Sequence, residues 1–250
     1  MADVNNSSKK IFLIMAVIAA IGFAVSYFYY GNVNKNTDPR LIETQEILSR
    51  FDNINKLDSP FVAIELMDNL QNKLQSIDLY KSSYEMGVVI NNRASVYIMM
   101  AIYDDKYTNM KDSLFNLSLS DLKTATKVLN NWIEKNKTID KNAVKTKLKT
   151  AYTNEKELFK DIDIDKAVDK RLEEIELAKT ETPRRLSVVY SNIAVVKRHT
   201  NKLDDAIKYY QQAIELWPEN HETKNNLKVL MGEKPEKRNA IEKLFPSKRD

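Results

Sequence analysis

The stretch from Ser187 to Pro218 reads SVVYSNIAVVKRHTNKLDDAIKYYQQAIELWP. Its second half places Leu203, Ala206, Ile207, Tyr210, Ala213, Ile214 and Trp217 at i, i+3, i+4 and i+7 spacing, which predicts a strongly amphipathic helix. Its first half continues a second apolar face through Leu186, Val189, Tyr190, Ile193, Ala194 and Val196. Thr200-Asn201-Lys202 is the only break between them, so the two helices must fold back on each other as a hairpin. Ala194 and Ala206 are small enough to let the helix axes approach closely. Pro218 stops the second helix, because proline has no N–H to continue the ladder.

This hairpin resembles a tetratricopeptide repeat, whose period is about 34 residues. With Ser187 as the first position, Tyr190 stands in the slot usually held by Trp and Ile193 in the Leu slot. Ala194 takes the small-residue slot, and Ala206, Tyr210, Ala213 and Pro218 take the Ala, aromatic, Ala and Pro slots. Lys197 departs from the aromatic residue usual there. The resemblance implies a concave groove lined by the first helix of each repeat and used to bind protein partners. In this repeat Val188, Ser191, Asn192, Val195 and Arg198 are the residues expected to line it. One subgroup of the family grips a terminal carboxylate with spaced Lys, Asn and Arg residues. Asn91, Asn92, Asn192 and Arg198 are available here, but that spacing is not reproduced, so a C-terminal carboxylate ligand is not expected.

Composition agrees with helix throughout. The chain of 250 residues has 4 Gly and 6 Pro, too few for a sandwich or barrel, which needs a turn every ~8–12 positions. No nucleotide-binding glycine loop can be written with four glycines. With no Cys and two His, thiolate zinc sites, iron–sulfur clusters, disulfides and a Cys nucleophile are excluded. No cofactor is expected. Asp161, Asp163 and Asp165 imitate the start of a calcium loop, but Lys166 replaces the required Gly and Leu172 the final Glu. They read as an acidic helix start. His199 and His221 fall at a helix end and a helix start with no orienting partner, so no catalytic residue is assigned and the chain is not read as an enzyme. Eight Lys lie between Lys123 and Lys149. Against a whole-chain charge of +4 they read as a solvated or protein-docking face, not a nucleic-acid surface.

Other helices are expected at 39–56, 60–77, 81–103, 119–135, 139–158, 163–180, 183–199, 219–231 and 235–245, the last a capping helix. Each proline is expected at a helix boundary, Thr182-Pro183 included. Tyr84, Gly87, Ile90, Ala94 and Tyr97 suit the first helix of a divergent repeat, with Leu122, Ala125, Leu129 and Trp132 on its partner. Residues 104–118 are expected to be a long loop. A single repeat cannot bury its own faces, so divergent hairpins must flank 187–220.

Residues Ile11–Tyr30 read IFLIMAVIAAIGFAVSYFYY within a charge-free run between Lys10 and Lys35. Twenty residues at ~1.5 Å rise span ~30 Å, the thickness of the hydrocarbon core. Tyr27, Phe28, Tyr29 and Tyr30 form an interfacial aromatic belt. A cleaved signal peptide is the competing reading, through the small residues Gly22 and Ala24. Lys9 and Lys10 favour a cytoplasmic N-terminus. The expected layout is a cytoplasmic tail at 1–10, a transmembrane helix at 11–30, and a linker with a juxtamembrane helix at 31–58. Divergent helical hairpins follow at 59–182, and a tetratricopeptide unit with capping helices at 183–250. The fold class is all-α, a helix-hairpin solenoid behind one N-terminal membrane helix. The expected location is a single-pass bacterial inner (cytoplasmic) membrane protein whose bulk is periplasmic or extracellular. The expected role is a scaffold binding other proteins of a membrane-associated assembly, such as a periplasmic flagellar motor complex. Self-association stays open, and a chaperone-like client-binding module associated with protein secretion is the alternative.

Overall fold

The computed structural model describes residues 36–57, 59–138 and 140–236. The expected membrane helix at 11–30 lies outside the described residues. So does the closing helix at 235–245, apart from Pro235 and Glu236, which are not helical. Among the described residues no helix is long and apolar enough to cross a membrane.

Every regular element of the described residues is helical. In chain order they are α1 (Pro39–Leu57), α2 (Pro60–Gln75), α3 (Tyr84–Tyr103), a 3-10 segment (Asp105–Met110), α4 (Lys111–Asn136), α5 (Lys141–Asn154), α6 (Ile164–His199), α7 (Leu203–Leu216) and α8 (His221–Leu230). The chain forms two compact units. Of the described residues, the smaller holds those up to Glu43 and within Asp140–Glu174, and the larger holds those within Thr44–Ile139 and from Ile175 onward.

The smaller unit is a hairpin of α5 and the first turns of α6. Lys145 pairs with Asp169 and Lys149 with Asp165, each at 2.6 Å, which fixes an antiparallel register. Tyr152 and Phe159 stack at 4.4 Å in its buried interior. The Arg40 guanidinium lies 5.4 Å and 5.5 Å from those two rings while pairing with Asp38 and Glu155. Asp38 and Pro39 start α1 as expected, with the Asp38 carboxylate accepting the Arg40 N–H at 3.0 Å. Asp163 likewise caps α6, accepting the Lys166 N–H at 3.2 Å. That bond, more than its Lys166 ion pair, holds its carboxyl below the ordinary range. The triplet of aspartates is therefore used for a helix start.

Two expectations need correction. Residues 104–118 are not a loop. Asp104 caps the 3-10 segment through the Lys106 N–H at 3.1 Å, and α4 begins at Lys111. Leu114, Phe115, Ser118, Leu122, Ala125, Leu129 and Trp132 form one buried stripe, so the helical period starts two turns earlier than the polar residues suggest. Pro183 does not open a helix either. It sits inside α6, which runs unbroken from Ile164 to His199. Proline in a helix interior costs about 3 kcal/mol. Ala178, Thr182, Leu186, Val189 and Ile193 form a continuous buried stripe across it, and that burial offsets the loss. The Thr182 hydroxyl, donating to the Ala178 carbonyl at 2.6 Å, adds a local bond.

The larger unit is a stack of hairpins. α3 and α4 pair antiparallel in one register: Tyr84 meets Trp132 with ring centroids 5.8 Å apart, Gly87 lies against Leu129, and Arg93 grips Asp121. Arg93 is bidentate to Asp121, both bonds 2.7 Å, and also holds Asp68 of α2. Three helices thus converge on one half-buried guanidinium, whose pKa those carboxylates push up. α6 and α7 form the second hairpin, with the Ser187 hydroxyl donating to the Ala213 carbonyl at 2.7 Å and Tyr190 facing Tyr209. Ala194, Ala206 and Tyr210 form its fully buried centre. Lys197, the residue that departs from the repeat pattern, pairs with Asp205 at 3.1 Å, so an ion pair stands where an aromatic contact is usual. Asn201 takes φ 60 at the turn, and Gly232 takes φ 83 just after α8, the left-handed conformation that ends a helix.

Candidate protein-docking groove

Three helices of the larger unit, α3, α6 and α8, lie side by side and parallel. The Arg185 guanidinium donates to the Tyr84 hydroxyl at 3.1 Å, and the Asn192 amide donates to the Asn91 side-chain oxygen at 3.1 Å. Both pairs have the same offset of 101 positions, so α6 runs in fixed register along α3. The Asn220 amide donates to the Ser187 hydroxyl at 3.0 Å, an offset of 33 that sets α8 on the other side of α6. The hairpin α3–α4 is therefore the structural neighbour of 187–220, although Asp140–Glu174 intervenes in the chain and belongs to the other unit. This reverses the usual order, in which sequence neighbours stack.

The parallel helices leave a groove of about 500 Å³. All five residues expected on sequence grounds, Val188, Ser191, Asn192, Val195 and Arg198, line it. Asn91 and Asn92, singled out with them, line it as well. The residues expected for packing lie elsewhere. Ala194, Ala206, Tyr210 and Ala213 are 0% exposed, Ile193 is buried, and Tyr190 is half-buried against Tyr209. Pro218 is exposed just after the extended Trp217 that ends α7.

The structure adds groove residues that sequence reasoning missed. Asn226 lies 34 positions after Asn192 and lines the same groove, so α3, α6 and α8 each present an asparagine to it. A search for Asn at the repeat period would have found Asn226. Asn91 has no such signal, because its offset comes from packing. Ile98, Met99, Ile102 and Tyr103 of α3 make an apolar flank, with Tyr103 80% exposed at the rim. Arg184 lies 4.6 Å over the Trp217 ring and pairs with Glu181 at 3.5 Å. Carboxamides accept and donate at once, so a row of them suits the peptide groups of an extended chain. The apolar flank suits its side chains.

Both histidines face this groove, His199 closing α6 and His221 opening α8. Partial burial lowers the His199 imidazole below its ordinary 6.5, and the charges of Lys111 and Arg198 push the same way. The unfolded chain therefore takes up this proton more readily than the folded one. Stability is expected to fall as pH drops through about 6.5 and to level off below the folded-state value. Thermal unfolding followed between about pH 8 and pH 5 should show a shallower acid-side loss for His199→Gln than for the parent. Identical pH profiles would contradict this.

A family model described as Tetratricopeptide repeat matches residues 187–220. No curated protein and no solved structure matches the chain. The match covers the last turns of α6, α7 and its proline turn, so residues 187–220 form one repeat of a type that serves in protein–protein interaction. Repeats of this family are generally scaffolds without catalysis.

Proposed function

We propose that this chain is a membrane-anchored, extracytoplasmic scaffold that holds an extended segment of a partner protein in the α3–α6–α8 groove. The observation that carries the reading is the row Asn91, Asn192 and Asn226 on three parallel helices beside an exposed apolar flank. The anchor rests on the apolar run Ile11–Tyr30 and its basic N-terminal flank. Anchoring confines the groove to the membrane plane and raises its effective concentration towards other envelope components. A cell-envelope assembly is the partner set that follows.

The natural chain has no Cys, so one introduced thiol reports alone. Val195→Cys places it in the groove. In intact cells, a membrane-impermeant bifunctional thiol crosslinker should join this thiol to a partner of fixed stoichiometry. Flagellar motor components among the products would identify the assembly as the periplasmic part of that motor. Labelling only after permeabilisation would defeat the extracytoplasmic placement. Labelling without capture would defeat the docking role, and many substoichiometric clients would favour a chaperone-like module.

A further inference from the structure

The charges of the groove are unbalanced. Arg184, Arg185 and Arg198 line it, and Glu222 is the carboxylate among its lining residues. Arg184 has Glu181 as a partner. Arg185 and Arg198 have no carboxylate within ion-pair distance among the described residues. Arg185 donates to the neutral Tyr84 hydroxyl, and the charge of Arg198 acts on the Tyr210 hydroxyl without a hydrogen bond between them. Both are partly buried, so each guanidinium has lost some water without gaining a direct ion pair; the carboxylates of Glu181 and Glu85 around Tyr84, and of Glu222 around Tyr210, act only at longer range. Elsewhere in this unit the half-buried guanidinium of Arg93 is matched by two carboxylates. The groove lacks that compensation on the surface where a ligand would lie.

We infer that the partner segment is acidic, with two carboxylate side chains that complete the ion pairs of Arg185 and Arg198. This rests on the groove being the docking site. Thirteen positions separate the two arginines along α6, and at ~1.5 Å per residue that is about 20 Å. An extended chain advances ~3.3 Å per residue, so the two carboxylates lie about six residues apart. The segment then runs along α6 and crosses the line of asparagines once, at Asn192, and its residues between the two carboxylates are apolar or small where they meet Val188, Val195, Met99 and Ile102. The carboxylates are side chains within the segment, so a free C-terminus is not required. A nucleic acid fits less well, because the groove lining contains no lysine and its flank is apolar.

The test uses the full chain in detergent micelles and a terminally blocked peptide with Glu at positions 1 and 7 of an eight-residue apolar and small-residue sequence. Fluorescence anisotropy should show at least tenfold tighter binding than for the same peptide with Gln at both positions. Raising the salt concentration should weaken it. Arg185→Gln keeps a hydrogen-bond donor for Tyr84, Arg198→Gln keeps a polar amide, and both remove the charge. Each should lose several-fold affinity for the Glu peptide and leave the Gln peptide unchanged, with circular dichroism like the parent. Equal binding of the Glu and Gln peptides would overturn the acidic partner and leave the groove as a docking site. No binding of either would overturn both. Tighter binding of a single-stranded oligonucleotide of equal length would assign the arginines to phosphate instead.

Discussion

Ala206→Arg is expected to unfold the α6–α7 hairpin. Ala206 is 0% exposed and packs with Ala194 and Tyr210 in the buried centre of the hairpin. An arginine there must either force the helices apart or bury a charge with no carboxylate beside it. Removing or adding a charge without its partner in such a place costs about 3–5 kcal/mol, a large share of the ~5–15 kcal/mol that holds a domain together. The hairpin also supplies the middle helix of the groove, so the damage should spread to the docking surface. Circular dichroism and thermal melting should show lost helix and a lower, broader transition, and Ala213→Arg should behave alike. Parent-like helicity and melting would sink the packing argument. A smaller change, Ala206→Ser, should be tolerated much better, because it adds one atom that can bond to the helix backbone.

The second large effect is expected at Gly87. A Cβ built there would stand 2.6 Å from both Cγ and Cδ2 of Leu129, in the interior of the α3–α4 hairpin near the start of α3. Two tendencies oppose each other. Glycine in a helix is about 1 kcal/mol less favourable than alanine, so replacing it should help locally. Overpacking a filled interior costs ~1–3 kcal/mol, and here the obstruction includes Leu129 Cγ, close to the backbone of a fully buried side chain. The clash wins. Gly87→Ala should be destabilising by about 1 kcal/mol and Gly87→Val by about 3 kcal/mol, as the branched side chain adds two further carbons. Denaturant titration reads both values. Combining Gly87→Ala with Leu129→Ala should recover much of the loss from the first change, since it empties the space the new methyl needs. Additive losses in the double variant would show that the contact is not what limits this position.

Gly87 shows how much of this reading was local. A glycine in a strongly periodic helix signals close approach by itself, and Leu129 was already on the expected partner helix. The tetratricopeptide hairpin was equally legible: small residues at 194, 206 and 213, Tyr210 between them, and Pro218 after the last turn fix a pair of helices with few alternatives. The groove residues of α6 followed from that pattern. The errors arose where local signals compete with long-range burial. Proline at 183 and the polar run at 104–118 both argue for breaks when taken alone. Buried stripes continuing through or into them outweigh those signals, and a stripe becomes visible only when something covers it.

The sequence by itself determined a helical chain, one repeat hairpin, an apolar N-terminal run, and the face of α6 that carries Val188, Asn192 and Val195. These depend on periodicity and side-chain size, which act over a few turns. Only the tertiary structure decided what lies next to that hairpin. Its upstream neighbour is α3–α4, 101 positions away, and Asp140–Glu174 belongs to another unit. That choice places Asn91 in line with Asn192 and Asn226 and opens the groove between Tyr103 and Arg198. No local pattern encodes an offset of 101. It follows from which apolar faces remain uncovered once each hairpin has closed, and only packing of the whole unit settles that.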